Sequence, residues 1–234
     1  MVKEELVERS PLRIFHKTIH GGLQNGCIGV ITSKEGVGKT ACLVHIAIDK
    51  MLQGKQVIHV SFAQKPDNIL NWYENIFSEI AKDKGLENAK EVHDELVTKR
   101  VVISFPQGGV PIPTVLKSVE TMIKQAQFNA DTIIIDSLDF DLVTPSDLEA
   151  MSEFAKSVNM RVWISLSLKG EAPYWDENGI PFMVKPFLNI IEELINVRFD
   201  GDYIHLELVK DRDQIGLKDM NLKLDPKSLL IAKK

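Results

Sequence analysis

The chain has 234 residues, of which 44% are hydrophobic and 26% charged, and its net charge is −5. This length allows one large α/β domain with a sizeable core and leaves little room for two. The acidic balance argues against a constitutive nucleic-acid binder, which normally carries a basic face, although a local basic groove would still fit. The charged N-terminus lacks the apolar segment of a signal peptide, and no apolar run is long enough to span a bilayer, so a cytoplasmic location is expected.

Apolar runs alternate with segments of helical periodicity along the first 168 residues. The continuous apolar runs predict strands at residues 27–32, 56–62, 101–105, 132–136 and 161–166. The periodic segments predict helices at residues 41–52, 66–84, 85–100, 115–128 and 147–158. Ser146 is the expected N-cap of the last helix. Apolar strands separated by helices predict a mostly parallel sheet with helices on both faces.

The two ends of the chain have different patterns. Residues 1–20 are polar and loosely patterned, and they are interpreted as an N-terminal extension of a single domain covering 1–234. After Leu168, a polar loop leads to segments of period-two alternation near Asn196 and at 203–210, and to a last apolar run near Leu229. With the turn at Asp200-Gly201, this pattern predicts an antiparallel C-terminal extension at one edge of the sheet.

The strongest functional signal is the segment SKEGVGKT at residues 33–40, between a predicted strand and a predicted helix. Gly36 and Gly38 allow a turn tight enough to direct backbone N–H groups at a phosphate, and the helix N-terminus adds its dipole. Lys39 is expected to contact the β- and γ-phosphates, and the Thr40 hydroxyl to ligate Mg²⁺. Ser33 departs from the consensus, which has glycine there. The predicted nucleotide-binding residues are Ser33, Lys34, Glu35, Gly36, Val37, Gly38, Lys39, Thr40 and Ala41.

Asp136 ends the apolar strand TIIID and is the predicted carboxylate partner of the metal. A metal held at a phosphate loop commonly needs a carboxylate from the end of a neighbouring strand. The alternative for Asp136 is a turn or cap residue after a buried strand. Thr40 and Asp136 are therefore the predicted metal ligands, with ATP and Mg²⁺ as the predicted cofactors.

Taken together, the chain resembles the RecA-like ATPases, in particular the KaiC, RadA and DnaB-helicase branch. The resemblance is carried by Gly21-Gly22-Leu23 and Gly26, the phosphate loop, Val60-Ser61-Phe62, Asp136, Ser165 and Ser167, and Lys210-Asp211-Arg212. It implies a RecA-like fold, ATP binding and a homo-oligomer. It also implies that Lys210 and Arg212 reach the γ-phosphate of a neighbouring subunit. The alternative is a solvated charge run in a hairpin.

The sequence departs from this family after the second strand, where relatives that hydrolyse ATP carry a glutamate that activates water. Here Ala63 and Gln64 occupy those positions. Gln64 can orient water but cannot act as a base, so it is the candidate catalytic residue of a slow ATPase. Loss of a general base commonly removes about 10²–10⁴-fold in rate. Ser165 or Ser167 also stands where relatives often have a glutamine that senses the γ-phosphate.

Several interpretations remain open. Lys34 matches the signature lysine of the MinD/ParA group, although Ser61 stands where that group has an aspartate. A DNA-associated ATPase is a further alternative. The loops after the fourth and fifth strands are acidic, however, and their aromatic residues Tyr174 and Trp175 lack a basic track. The leading interpretation is an ATP-gated oligomeric regulator or assembly factor with weak or absent hydrolysis, an unidentified protein partner and no membrane association.

Overall fold

A computed structural model describes residues 2–62, 65–108, 110–170, 172 and 174–234, and these residues form a nine-stranded sheet. The strands are β1 (Ile28–Ser33), β2 (Gln56–Ser61), β3 (Arg100–Ser104), β4 (Ala130–Asp136), β5 (Arg161–Ser167), β6 (Ile191–Phe199), β7 (Ile204–Asp211), β8 (Gln214–Leu224) and β9 (Ile231–Lys233). Their order is β3-β2-β4-β5-β1-β6-β7-β8-β9. Strands β1 to β6 pair in parallel, and β7, β8 and β9 add antiparallel pairings at one edge. The predicted α/β architecture with an antiparallel C-terminal edge is confirmed.

Helices cover both faces of the sheet. They are α1 (Lys3–Glu8), α2 (Leu12–Thr18), α3 (Lys39–Leu52), α4 (Pro66–Lys84), α5 (Ala89–Val97), α6 (Ile112–Gln125) and α7 (Pro145–Ser157), with 3-10 turns at Phe140–Leu142 and Phe182–Phe187. Val30 and Ile31, which follow each other in β1, belong to two different apolar clusters, because successive strand residues point to opposite faces. One cluster contains α3 and α4, and the other contains α6 and α7. In the part of the chain that the structure describes, no helix is both long and apolar enough to cross a membrane.

The N-terminal extension is more ordered than its sequence pattern indicates. It forms α1 and α2, whose residues Leu6, Leu12 and Phe15 are buried in the same cluster as α3. The ring of Phe15 lies 5.7 Å from that of Trp163 in β5. Helices of six and seven residues are too short to be stable alone, so packing on α3 and the sheet decides their formation.

Strand β8 was not predicted from the sequence, and the predicted antiparallel pairing of β6 is correct for only one of its two edges. The first half of β8 is exposed, and its apolar alternation changes phase between Leu217 and Met220, so the sequence shows no single half-buried face. Strand β6, which contains Asn196, pairs in parallel with β1 and only its other edge pairs antiparallel with β7. The antiparallel part therefore begins at β7.

The start of α7 corrects the predicted N-cap. Thr144, two residues before Ser146, caps the helix, and its side chain accepts a hydrogen bond from the Asp147 backbone N–H at 3.3 Å. The Asp147 carboxylate in turn accepts from the Thr144 backbone N–H at 2.9 Å. Pro145 then occupies the first helical position, where a missing N–H causes no loss.

Candidate functional site

The predicted phosphate loop, residues 33–40, lies where the connections of the sheet diverge. The chain leaves β1 through α3 toward β2 on one side, and the connection from β5 passes β1 to reach β6 on the other. In open α/β sheets, ligands bind outside the carboxyl ends of the strands at such a switch point. Residues 33–40 follow the carboxyl end of β1 and therefore lie at the position expected for a ligand crevice.

Two glycines shape the loop for different reasons. Gly36 and Gly38 have φ angles of 76° and 104°, a region that side-chain-bearing residues rarely adopt. A Cβ atom at Gly38 would also lie 2.6 Å from Leu224 Cδ2, whereas one at Gly36 would meet nothing within 4 Å. Gly38 thus serves both the turn and the packing of the loop against β8, and Gly36 serves the turn.

Lys39 is folded back onto the loop that carries it. Its Nζ donates to Ser33 Oγ at 3.1 Å, to the Lys34 carbonyl at 3.0 Å and to the Ser33 carbonyl at 3.4 Å. The residue is only 7% exposed, and this burial lowers the pKa of Lys39, while the nearby carboxylate of Asp136 partly opposes the shift. The ammonium group is thus held within the loop by neutral acceptors, which an anionic ligand can replace.

The two predicted metal ligands are in direct contact. Thr40 Oγ1 donates to Asp136 Oδ2 at 2.9 Å, and Ser165 Oγ donates to Asp136 Oδ1 at 2.6 Å. Asp136 is 1% exposed, and each of its carboxylate oxygens accepts a hydrogen bond from a hydroxyl group, one on α3 and one on β5. A carboxylate next to hydroxyl oxygens is a hard-oxygen donor set of the kind that Mg²⁺ prefers. The residues present therefore fit the metal that the sequence predicts.

Ser137 and Ser165 are the site features that sequence reasoning did not identify in this role. Ser137 directly follows Asp136, has φ of 62°, and donates its backbone N–H to Ser165 Oγ at 2.7 Å. A non-glycine residue in this left-handed region is uncommon and carries strain. Ser165, considered above as a γ-phosphate sensor, is bonded to Asp136 instead. No composition or periodicity signal marks either contact, because each depends on the pairing of distant strands.

The other predicted loop residues surround Lys39 and Thr40. Ser33 Oγ donates to the Lys34 carbonyl at 2.7 Å, and Lys34 Nζ lies 4.8 Å from the centre of the Tyr174 ring. Glu35 is exposed, and Val37 is half-buried. Ala41 is fully buried in the apolar cluster, so it positions the helix start rather than presenting a side chain to a ligand.

Lys210 and Arg212 lie at the opposite end of the sheet from the phosphate loop. Asp211, between them, pairs with Glu193, which in turn pairs with Gly29 near the amino end of β1. Lys210 is buried, and its Nζ donates to the Ile191 carbonyl. Arg212 is exposed at the tip of the β7–β8 turn, with φ of 56°.

Gln64 is the candidate catalytic residue predicted from the sequence. Gln64 and the neighbouring Ala63 lie outside the described residues.

A second buried polar cluster, not predicted from the sequence, occupies the amino-end region near Lys210. Glu193 and Asp211 are 1% and 6% exposed, and they lie opposite each other on the paired strands β6 and β7. Burial, together with the charge of Asp211, raises the pKa of Glu193 to about 8. His20 Nδ1 contacts Asp211 Oδ2, while Glu193 Oε2 and Asp211 Oδ1 have no hydrogen-bond partner among the described residues. Glu193 therefore favours its protonated form at neutral pH.

Comparisons with known proteins identify no family. A scan of the chain against models of protein families gives no match, and a search of curated proteins finds none with significant similarity.

Proposed function

We propose that this chain is a RecA/KaiC-like P-loop protein that binds ATP with Mg²⁺ and acts as an ATP-gated oligomeric regulator or assembly factor with weak or absent hydrolysis. The observation that carries the proposal is the 2.9 Å contact between Thr40 and Asp136, beside a loop that holds Lys39. A lysine, a hydroxyl and a buried carboxylate meet at one strand end. These are the three groups that a nucleotide–metal site requires.

Each side chain has a defined part in this proposal. Lys39 exchanges its loop acceptors for phosphate oxygens, a charge-assisted contact stronger than those it replaces. Thr40 and Asp136 hold Mg²⁺, which when bound neutralises phosphate charge. Ser165 orients the Asp136 carboxylate through its 2.6 Å hydrogen bond. The backbone N–H groups between Gly36 and Thr40, at the start of α3, supply the rest of the anion site.

The RecA/KaiC-like alternative is favoured over the MinD/ParA group by the end of β2. Ser61 closes that strand and pairs in register with Asp136 of β4. The MinD/ParA group has an aspartate at this point, and here the position holds a hydroxyl. Lys34, the match to the signature lysine of that group, is exposed and lies over Tyr174.

The assembly part of the proposal rests on Arg212. This arginine is exposed at a hairpin tip remote from its own phosphate loop, and its contact with Glu192 is long, at 4.0 Å, so its guanidinium group is accessible to a neighbouring subunit. Lys210 is buried and bound to a carbonyl of its own chain, which makes Arg212 the better candidate of the two.

Charge pairing in the loops after β4 and β5 disfavours a nucleic-acid partner. Lys169 binds Asp139 at 2.6 Å and Asp141 at 2.8 Å. Lys185 pairs with Asp176 at 2.8 Å. These lysines are therefore neutralised within the chain, whereas binding to a phosphate backbone depends on cations that can displace counterions.

Calorimetric titration with ATP and Mg²⁺ tests the nucleotide site. Lys39→Ala removes a charge-assisted contact, so we expect ATP affinity to fall by at least about tenfold. Lys55→Ala, an exposed lysine in the turn after α3, is the matched control and should bind like the wild type. Equal affinities for wild type and Lys39→Ala, or no saturable binding by the wild type, would contradict the proposal.

A further inference from the structure

A separate cavity of about 670 Å³ lies against α3, away from the phosphate loop. It is enclosed by the N-terminal helices, one face of α3, the end of α4 and the β8–β9 segment. His45, Ile48, Asp49 and Leu52 line it from α3, at the spacing that places residues on one helix face. None of residues 33–41, all of which are described, belongs to its wall. Its volume is in the range of small-molecule sites, about 300–1,000 Å³.

The floor of the cavity is apolar, and one of its walls carries an unsatisfied donor. Leu12, Ile48 and Ile231 are each at least nine-tenths buried and line the floor. Arg13 forms an ion pair with Asp49, but Arg13 Nε is buried and has no partner among the described residues. A buried donor without an acceptor costs about 1–3 kcal/mol. A ligand acceptor at this wall would remove that cost.

Cations without carboxylate partners surround the cavity. Arg9 and Lys233 are exposed lining residues, and neither forms an ion pair within the described part of the chain. Lys223 lies with its Nζ 3.8 Å from the centre of the Tyr203 ring, and both residues line the same space. The mouth therefore offers positive charge next to an aromatic surface.

Most of the carboxylates nearby are already engaged. Asp225 accepts backbone N–H groups of Lys227 and Ser228 at 2.7 and 2.9 Å. Asp83 pairs with Lys84 at 2.9 Å. Asp49, besides its contact with Arg13, accepts from Gln53 Nε2 at 2.7 Å. The lining carries five lysine and arginine side chains against four carboxylates, because Glu8 also lines the cavity, so its formal charge is +1 and favours an anionic ligand.

We propose that this cavity binds a small amphipathic anion, with an apolar body on the floor formed by Leu12, Ile48 and Ile231 and a carboxylate or sulfonate head toward Arg9, Arg13 and Lys233. The apolar area supplies the affinity, and the cations select the charge of the head group.

The cavity is physically connected to the phosphate loop, and this step rests on the proposed function. Tyr203 and Lys223, which line the cavity, immediately precede Ile204 and Leu224 in the chain. Those two residues pack against Gly38, at 3.7 and 2.6 Å from the position of an added Cβ atom. A bound anion that shifts either strand end changes the packing of Gly38, and thereby the affinity for ATP. Linkage requires ATP to change the affinity for the anion by the same factor.

The test uses the full chain without nucleotide, with octanoate as the probe and octan-1-ol as its uncharged counterpart. Both are titrated as competitors of the fluorescent anion anilinonaphthalene sulfonate. Arg9→Glu and Lys233→Glu should each weaken octanoate binding by at least about fivefold, because a charge-assisted contact becomes a repulsion. Octan-1-ol binding should change less than about twofold, since it has no charge. Lys117→Glu, an exposed site on α6 at the other face of the sheet, is the control and should change neither.

Three results decide the inference. Absence of saturable octanoate binding, or equal octanoate binding by wild type and both charge reversals, overturns the site. Ile80→Trp, which places a larger side chain in the cavity, should weaken binding of both probes; if this variant does not fold, the exposed charge reversals still decide. ATP titrated with and without saturating octanoate should differ in affinity by about fivefold. Octanoate binding with unchanged ATP affinity overturns the coupling alone, and octanoate binding by a chain that binds no ATP overturns only the proposed function.

Discussion

The two ends of the sheet hold buried polar groups in opposite ways. At the carboxyl ends, both oxygens of Asp136 accept hydrogen bonds from hydroxyl groups, and Lys39 has three acceptors in its own loop. At the amino ends, Glu193 and Asp211 face each other, and each has a buried oxygen without a partner in the described residues. The first cluster is satisfied by neutral groups, and the second depends on a proton carried by Glu193.

Because of this difference, the carboxyl-end cluster is suited to ligand binding, whereas the amino-end cluster affects the stability of the fold. Neutral hydroxyl and carbonyl partners can be exchanged for a metal or a phosphate at small cost, which suits a ligand site. A buried pair of carboxyl groups has no neutral partners that a ligand could replace. It is stable only while one carboxyl group stays protonated, because two buried negative charges repel each other. We therefore expect substitutions at the carboxyl ends to change ligand affinity and those at the amino ends to change the pH dependence of stability.

Glu193→Gln is expected to give the largest effect. A raised pKa means that the folded state binds the proton more tightly, so this contribution to stability is present below the ordinary pKa of 4.5 and is lost as pH rises toward about 8. Between about pH 5 and about pH 9 the wild type should lose roughly 3 kcal/mol more than Glu193→Gln, which cannot titrate. Chemical denaturation at the two pH values measures the difference.

Glu149→Gln, an exposed change on α7, is the control for this comparison and should follow the wild type. Parallel pH profiles for wild type and Glu193→Gln would show that the amino-end pair does not hold a proton.

Gly38→Ala should come next in size. It combines a strained φ of 104° with a contact of 2.6 Å to Leu224, and the two should lower the free energy of unfolding by about 2 kcal/mol. Gly36→Ala has only the strained φ and open space, so about 1 kcal/mol is expected. Thermal unfolding of both variants measures the difference, and an equal loss would mean that packing against β8 contributes nothing.

Asp136→Asn tests the metal part of the carboxyl-end cluster. Asparagine keeps an acceptor for a hydroxyl group but loses the negative charge, so the gain in ATP affinity on adding Mg²⁺ should shrink by about tenfold, or 1.4 kcal/mol. Asp139→Asn, at the same edge but bound to Lys169, is the control. Calorimetry with and without Mg²⁺ gives the answer, and an unchanged gain would make Asp136 a structural residue.

Arg212→Ala should have the smallest effect on the isolated chain. Its side chain is exposed, so the free energy of unfolding should change by less than about 0.5 kcal/mol. If it reaches a neighbour's γ-phosphate, the wild type should self-associate more in ATP than in ADP, and the substitution should remove that difference. Arg198→Ala, an exposed arginine on β6, is the control. A wild type that stays monomeric with ATP, as measured by light scattering, would rule out the assembly.

Much of the central sheet could be predicted because its signals are local. The helix at 66–84 has the predicted ends, and β1 differs from the predicted 27–32 by one residue at each end. The short helices α1 and α2 and the strand β8, whose first half is exposed, could not be predicted, since their stability comes from distant partners rather than from their own periodicity. Thr144 rather than Ser146 is the cap, because Pro145 at the first helical position and the reciprocal hydrogen bonds with Asp147 start the helix two residues earlier.

The sequence by itself determined the alternation of strands and helices, because spacing and residue type act within a few positions, and it predicts a phosphate loop at residues 33–40. Only the tertiary structure decided which distant groups meet. The pairing of β4 with β5 brings Ser165 to Asp136. The start of α3, which follows β1 in the chain, brings Thr40 to the same carboxylate. The antiparallel register of β6 and β7 likewise places Asp211 against Glu193. Strand order and register are set by the packing of the whole core, so contacts across them cannot be read from local sequence.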